Sequence, residues 1–176
     1  MLWPGVATAI LVIWAAGITP ITALPIPLAA RMEREFTKAH NQARRAVGVN
    51  PLHWDPLFSR YAGKFAENMK IGAPGTCEFG KEAPPTSYGM NAVVTNLVTE
   101  IPRVVEWWTQ GSRYYSARTN SCASDFISTC RAYLQVVWGA SETLGCGTVP
   151  CGKDGRLYLC LYSPPGNTKG GRPFNP

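Results

Sequence analysis

Six cysteines and two histidines are the side chains best able to do chemistry in this 176-residue chain. A free thiolate could serve as a nucleophile, and thiolates with imidazoles could hold zinc. Such zinc sites use close Cys-x2-Cys pairs with histidines nearby. Here Cys122, Cys130, Cys146, Cys151 and Cys160 are spaced as Cys-x7-Cys, Cys-x4-Cys and Cys-x8-Cys, and Cys77 stands apart. His40 and His53 are distant in sequence from all six. An even cysteine count behind a secretory leader reads instead as three disulfides, which leaves no thiolate nucleophile. Spacing alone does not decide the pairing. His40 falls on the apolar face of a helical segment and is expected to be a hydrogen-bonded structural residue. His53 falls in a turn and is expected to be exposed. No Gly-x-Ser-x-Gly occurs, and no Ser/His/Asp set suggests itself. No catalytic residue is assigned, and the chain reads as non-enzymatic.

The elements that must position these residues begin with a leader. Residues 1–30 contain no Lys, Arg, Asp or Glu. The apolar run from Val6 to Ile18 is too short and Pro-bounded for a membrane span. It suits the core of a secretory signal, with cleavage after Ala23 or Ala30 and an uncleaved anchor as the alternative. A domain over 31–163 and a tail over 164–176 follow, so the protein is expected in the extracellular space or cell wall. All charge lies beyond residue 30, so the mature chain keeps the net +6. That balance favours loose association with anions of a membrane surface or cell-wall polymer. No Lys/Arg run exceeds Arg44-Arg45, and no aromatic–basic interleaving suggests nucleic-acid binding. A monomer is expected.

In "EREFTKAHNQARRAV" (33–47), Phe36, Ala39, His40, Ala43 and Val47 share one helical face, and "GVNP" ends the helix. Asp55 can cap a second helix with Pro56 in its first turn, its stripe being Leu57, Phe58, Tyr61, Ala62, Phe65 and Met69. Residues 71–92 read as a Gly/Pro-rich loop holding Cys77. A third helix is predicted from near Pro102, with Ile101, Val104, Val105 and Trp108 on one face and Gly111 as its stop. Residues 112–129 read as a polar loop. Tyr133–Trp138, inside the sparsely charged stretch "CRAYLQVVWGASETLGCG", reads as a strand rich in β-branched and aromatic residues. "RLYLCLY" (156–162) alternates strictly and follows an Asp154-Gly155 hairpin turn. The tail from Ser163 should be irregular. Helices first and a hairpin last indicate an α+β domain.

Five blocks in this order resemble the CAP superfamily of cysteine-rich secretory proteins, venom allergens and plant pathogenesis-related class 1 proteins. They are "AHNQARRAVGVNPLHWD" (39–55), Trp107, "YLQVVW" (133–138), "LGCG" (144–147) and "CLYSPPGN…RPF" (160–174). The ending looks most like the plant branch. The resemblance implies an α-β-α sandwich around a central antiparallel sheet. It also implies the pairing Cys77–Cys151, Cys122–Cys130 and Cys146–Cys160. Many family members carry a cleft tetrad of two histidines and two glutamates, which in some binds a divalent metal. Carried over position by position, the tetrad falls on Lys81, Met90, Gln110 (three residues after Trp107) and Ala132. No strong metal donor remains there, so no metal and no cofactor are expected.

The resemblance implies a secreted, pathogenesis-related, defence-type protein, with sterol or another lipid as the candidate ligand. Loss of the tetrad also fits an inert partner-binding scaffold, which stands as an alternative. In plant relatives the tail can be released as a defence signalling peptide. The corresponding cleavage here would fall between Ser163 and Pro164. Leu161 and Phe174 stand where that motif has Asn and Tyr, and the tail is two residues longer.

Overall fold

The computed structural model of the chain describes residues 27–71, 78–79 and 87–174. In chain order the elements are α1 (Leu28–Ala46), β1 (His53–Trp54), α2 (Pro56–Met69), β2 (Lys70–Ile71), β3 (Glu78–Phe79), β4 (Gly89–Thr95), α3 (Ile101–Thr109), β5 (Tyr115–Ser116), β6 (Ser121–Cys122), α4 (Ile127–Val136), β7 (Thr143–Cys151) and β8 (Gly155–Ser163). Short 3-10 turns at Gln110–Tyr114 and Ser124–Phe126 flank the β5–β6 hairpin. Ala23, Cys77 and Lys81 lie outside the described residues.

Helix α1 begins earlier than its apolar periodicity suggests, at Leu28, and buries Met32, Phe36, His40 and Arg44 one turn apart. It stops at Gly48, whose φ of +73° suits glycine. Helix α2 is capped as expected. The Asp55 carboxylate accepts the backbone N–H groups of Leu57 at 2.7 Å and Phe58 at 3.2 Å. Ala62, Phe65, Ala66 and Met69 are its buried face, while Leu57 and Tyr61 are exposed.

The main sheet runs β1-β7-β8-β4. β7, β8 and β4 are antiparallel, but β1 adds to β7 in parallel, so the sheet is mixed. His53 therefore stands in a short edge strand instead of a turn, and it is exposed as expected. The β7–β8 turn is residues 152–154, with Gly152 at φ +70°. Gly155 is already in the ladder opposite Cys151. Strand β8 is buried on both faces. Leu157, Leu159 and Leu161 pack with α2, whereas Tyr158, Cys160 and Tyr162 pack with α1, α3 and α4. The layers are thus α2, the sheet, then the other three helices.

The glycines of "LGCG" explain how close α2 lies. A Cβ on Gly145 would stand 2.5 Å from the Phe58–Ser59 peptide, and one on Gly147 would stand 2.4 Å from Gly63 Cα. Between them the Ser59 hydroxyl donates to the Cys146 carbonyl at 2.7 Å. Cys146 faces Cys160 across the β7–β8 ladder, and the two are bonded with Cα atoms 4.0 Å apart. Cys122 and Cys130 join the small hairpin to α4 over 5.9 Å. Cys151 is disulfide-bonded as well.

Four further sequence expectations fail for identifiable reasons. Tyr133–Trp138 is not a strand: its first four residues are the end of α4. That helix buries Cys130, Tyr133, Leu134, Gln135 and Val136, so no polar face interrupts the apolar run. Its last turn, Tyr133–Val136, is buried all round, and such a turn has the signature of a buried strand. The predicted loop 71–92 overlaps β4, whose Gly89 and Asn91 resemble turn residues although both are buried in the sheet. Gly111 does not end α3 as a left-handed cap. The chain passes through it into a 3-10 turn, and a Cβ there would stand 2.0 Å from the Thr129 carbonyl oxygen. Glycine lets this turn lie against α4, and the predicted loop 112–129 contains that turn, the small hairpin and the start of α4.

Candidate functional site

The described tetrad positions do not form a donor set. Met90 lies on β4 opposite Leu161, with its side chain in the apolar cluster on the α2 side of the sheet. Ala132 lies on α4 and packs into the cluster on the other side. Gln110 begins the 3-10 turn after α3. Trp108 is the buried tryptophan of that helix, while Trp107 is half-buried with the Arg103 guanidinium 5.8 Å over its ring. Counting three residues from Trp108 reaches Gly111, which also lacks a carboxylate. Among the described residues, no three His, Cys, Asp or Glu side chains group to hold a metal. The residues present do not fit a divalent ion.

A buried hydrogen-bonded network occupies the interior beside Ala132. The His40 Nδ1–H donates to the Phe36 carbonyl at 2.8 Å, because a carbonyl can only accept. Nε2 is then the acceptor, and it receives the Tyr162 hydroxyl at 2.8 Å. That hydroxyl in turn accepts from Asn91 Nδ2 at 3.3 Å, and Asn91 Nδ2 also donates to the Ala132 carbonyl at 2.9 Å. The chain of bonds ties α1, β8, β4 and α4 together. Burial lowers the His40 pKa to about 4, with the nearby Arg44 charge adding to the effect. Burial pushes the Tyr162 hydroxyl far up. Neither group is placed to meet a substrate: both are fully buried.

Arg44 is buried and has no acidic partner among the described residues. Its Nε donates to the Asn50 carbonyl at 2.6 Å, Nη1 to those of Val136 at 3.1 Å and Trp138 at 2.8 Å, and Nη2 to that of Ser141 at 2.9 Å. Val136 and Trp138 lie at the C-terminal end of α4, where unbonded carbonyls and the helix dipole favour a cation. Burial lowers the guanidinium pKa to about 10, which leaves it charged at neutral pH.

The concave surface lies elsewhere, between α1 and α3. A groove with a cavity volume of about 470 Å³ has Ala39, Ala43, Val105 and Tyr133 as its floor and Gln42 and Glu106 on its rim. Two alanines one turn apart on α1 leave the space open. The groove continues past Pro102 toward Lys38 and Glu100. Sequence reading placed Ala39 and Ala43 on an apolar face but missed that their small size opens a channel.

The tail after β8 is irregular but pinned. Ser141 Oγ donates to the Pro164 carbonyl at 2.8 Å, and Gln135 Oε1 accepts the Gly166 N–H at 2.9 Å. Asn167 Nδ2 donates to the Arg131 carbonyl at 3.1 Å, and the Gly139 N–H to that of Pro173 at 2.6 Å. Arg172 Nη1 donates to the Ala117 carbonyl at 2.8 Å. Phe174 meets the Tyr115 ring edge to face at 5.8 Å. Ser163 itself is in the β8 ladder opposite Thr143.

Residues 37–162 match the model of the cysteine-rich secretory protein family, CAP. The chain is 34% identical to pathogenesis-related protein 1 of Arabidopsis thaliana over 155 residues, covering 88% of this chain and 90% of that protein. It is 36% identical to the basic form of pathogenesis-related protein 1 of Nicotiana tabacum over 141 residues, covering 80% and 75% of the two chains. Among solved structures, venom allergen-like protein 4 of Schistosoma mansoni superposes with a TM-score of 0.60 at 25% identity, over 85% of this chain and 96% of that one.

Proposed function

This chain belongs to the cysteine-rich secretory protein (CAP) family, and on that premise we propose that it is a secreted, non-enzymatic, pathogenesis-related defence protein that carries a sterol or acyl-chain lipid in the α1–α3 groove. The observation that carries the reading is the groove. It is apolar at its floor, polar at its rim, and of a size within the roughly 300–1,000 Å³ typical of small-molecule sites. The described tetrad positions offer no general base and no strong metal donor, which favours binding over catalysis. No helix among the described residues is long and apolar enough to cross a membrane. Cleavage of the leader after Ala23 would leave α1 whole, since the helix begins at Leu28.

The purified domain should bind a sterol or a long-chain fatty acid saturably in a fluorescence titration. Ala43→Phe places a ring in the groove and should weaken binding at least tenfold. Absence of saturable binding by the unmodified protein would overturn the assignment.

Release of the tail as a signalling peptide is the weaker reading. Proteolytic nicking concentrates where backbone is free of partners, and here both sides of the Ser163–Pro164 bond are held. The tail is better read as a strap across α4. Incubated natively with secreted proteases, the folded protein should yield no fragment beginning at Pro164 by mass spectrometry. Appearance of that fragment before loss of the folded signal would restore the precursor reading.

A further inference from the structure

The positive charge of the chain is not spread evenly. Residues 110–131 and 163–176 hold Arg113, Arg118, Arg131, Lys169 and Arg172 against a single acid, Asp125, and so supply four of the six net charges. All five cations are exposed. Among the described residues none of them forms an ion pair. Three cations near the groove are instead paired: Arg31 with Glu35 and Glu100, Arg34 with Glu35, and Arg103 with Glu106.

Three of those five cations, Arg113, Arg131 and Lys169, flank exposed apolar side chains. Arg113 lies 5.8 Å over the Tyr114 ring, and Tyr114 stacks on Phe126 with centroids 4.0 Å apart. Phe126 and Ile127 are each 46% exposed. Ile127 then shares a cavity of about 330 Å³ with Arg131, Trp138 and Lys169, formed where the tail crosses α4. The pinned tail is what brings Lys169 beside Arg131, through the bond from Asn167 to the Arg131 carbonyl.

We propose that this face, the 3-10 turns before α4 together with the tail strap, docks on an anionic phospholipid bilayer. Phe126 and Ile127 enter the interfacial layer. Arg113, Arg131 and Lys169 face lipid phosphates, and the cavity beside Trp138 admits a headgroup. Apolar side chains ringed by cations are the composition that anionic bilayers hold. A polysaccharide would draw on the cations but would gain little from a protruding isoleucine. The proposal stands independently of a ligand in the groove. It does add a geometric relation: Ser112 lines the groove and Arg113 belongs to the docking face, so a bilayer held here lies at the groove's end.

The test is co-sedimentation of the purified chain with phosphatidylcholine vesicles, with and without phosphatidylglycerol. Binding should require the anionic lipid and weaken with added salt. Each cation near such a surface contributes about fivefold, so Arg131→Gln with Lys169→Gln should lower affinity roughly thirtyfold. Phe126→Ser with Ile127→Ser should lower it about tenfold. Groove-blocked Ala43→Phe should sediment like the unmodified chain, which separates this proposal from lipid carriage. Equal binding to neutral vesicles, or anionic binding unchanged in the Arg131/Lys169 variant, would overturn it. Binding to polygalacturonate without vesicle binding, insensitive to the Phe126/Ile127 change, would overturn it in favour of a cell-wall polymer.

Discussion

Arg44→Met should be the most destabilising single substitution in the described core, lowering the unfolding free energy in urea by about 4 kcal/mol or more. Methionine fills much of the same volume and so isolates the polar contribution. It leaves the carbonyls of Asn50, Val136, Trp138 and Ser141 facing a buried side chain with no donor. An unsatisfied buried acceptor costs roughly 1–3 kcal/mol, and some of these four will recover water or shift. Removing the guanidinium also spares its own desolvation, and for that reason the loss stays below the simple sum. Arg44→Lys tests geometry against charge. The ammonium keeps the cation at the end of α4 but cannot span four carbonyls in a planar fork. It should recover less than half of the loss. If Arg44→Met costs under about 1 kcal/mol, the four bonds are incidental and the joint between α1, α4 and the 138–141 segment is held by packing alone.

Arg44 also marks the limit of what the sequence discloses. The stripe Met32, Phe36, His40 repeats every fourth residue, and Arg44 is its next member. The period therefore pointed to a buried arginine, but composition argues that arginine is exposed unless paired, and no acid is near in sequence. The same conflict hid Gln135 inside "YLQVVW" and Asn91 inside "GMNAVV". Each is a polar residue within an apolar block, and each is buried because it satisfies backbone from another element. Such residues are the readable sign of a joint, although the partner is not. Local chemistry was legible where one element explains itself: the Asp55 cap, the α3 face, the alternation of β8. It was not legible where burial is complete, as in the last turn of α4, or where small size makes a space, as at Ala39 and Ala43. The tetrad positions are an expectation carried over from the family resemblance. That Met90 and Ala132 lie on opposite sides of the sheet was not visible from it.

His40 gives the fold an acid limit that can be measured. Its pKa is about 4 in the folded protein against 6.5 in an exposed histidine, chiefly because the ring is buried. Between those values the unfolded chain takes up a proton that the folded chain refuses. Stability contributed by this group is therefore complete above pH 6.5, falls as pH drops toward 4, and does not fall further below 4. The shift corresponds to about 3 kcal/mol. Carboxylates titrate in part of the same window, so the comparison is with His40→Gln, which offers an amide donor to Phe36 and an oxygen to Tyr162 without titrating. Urea unfolding midpoints at neutral pH should place His40→Gln below the native protein. Between pH 6.5 and 4 the native protein should lose about 3 kcal/mol more than the variant does. The reason lies in the network: a protonated ring would turn Nε2 into a donor against the Tyr162 hydroxyl, which already receives Asn91. Tyr162 would then accept from both His40 and Asn91, and its own proton would need a new acceptor in a fully buried site. If native protein and variant lose stability in parallel, or if the His40 ring titrates near 6.5 by NMR in the folded state, the neutral-imidazole network is wrong and water reaches the interior between α1 and the sheet.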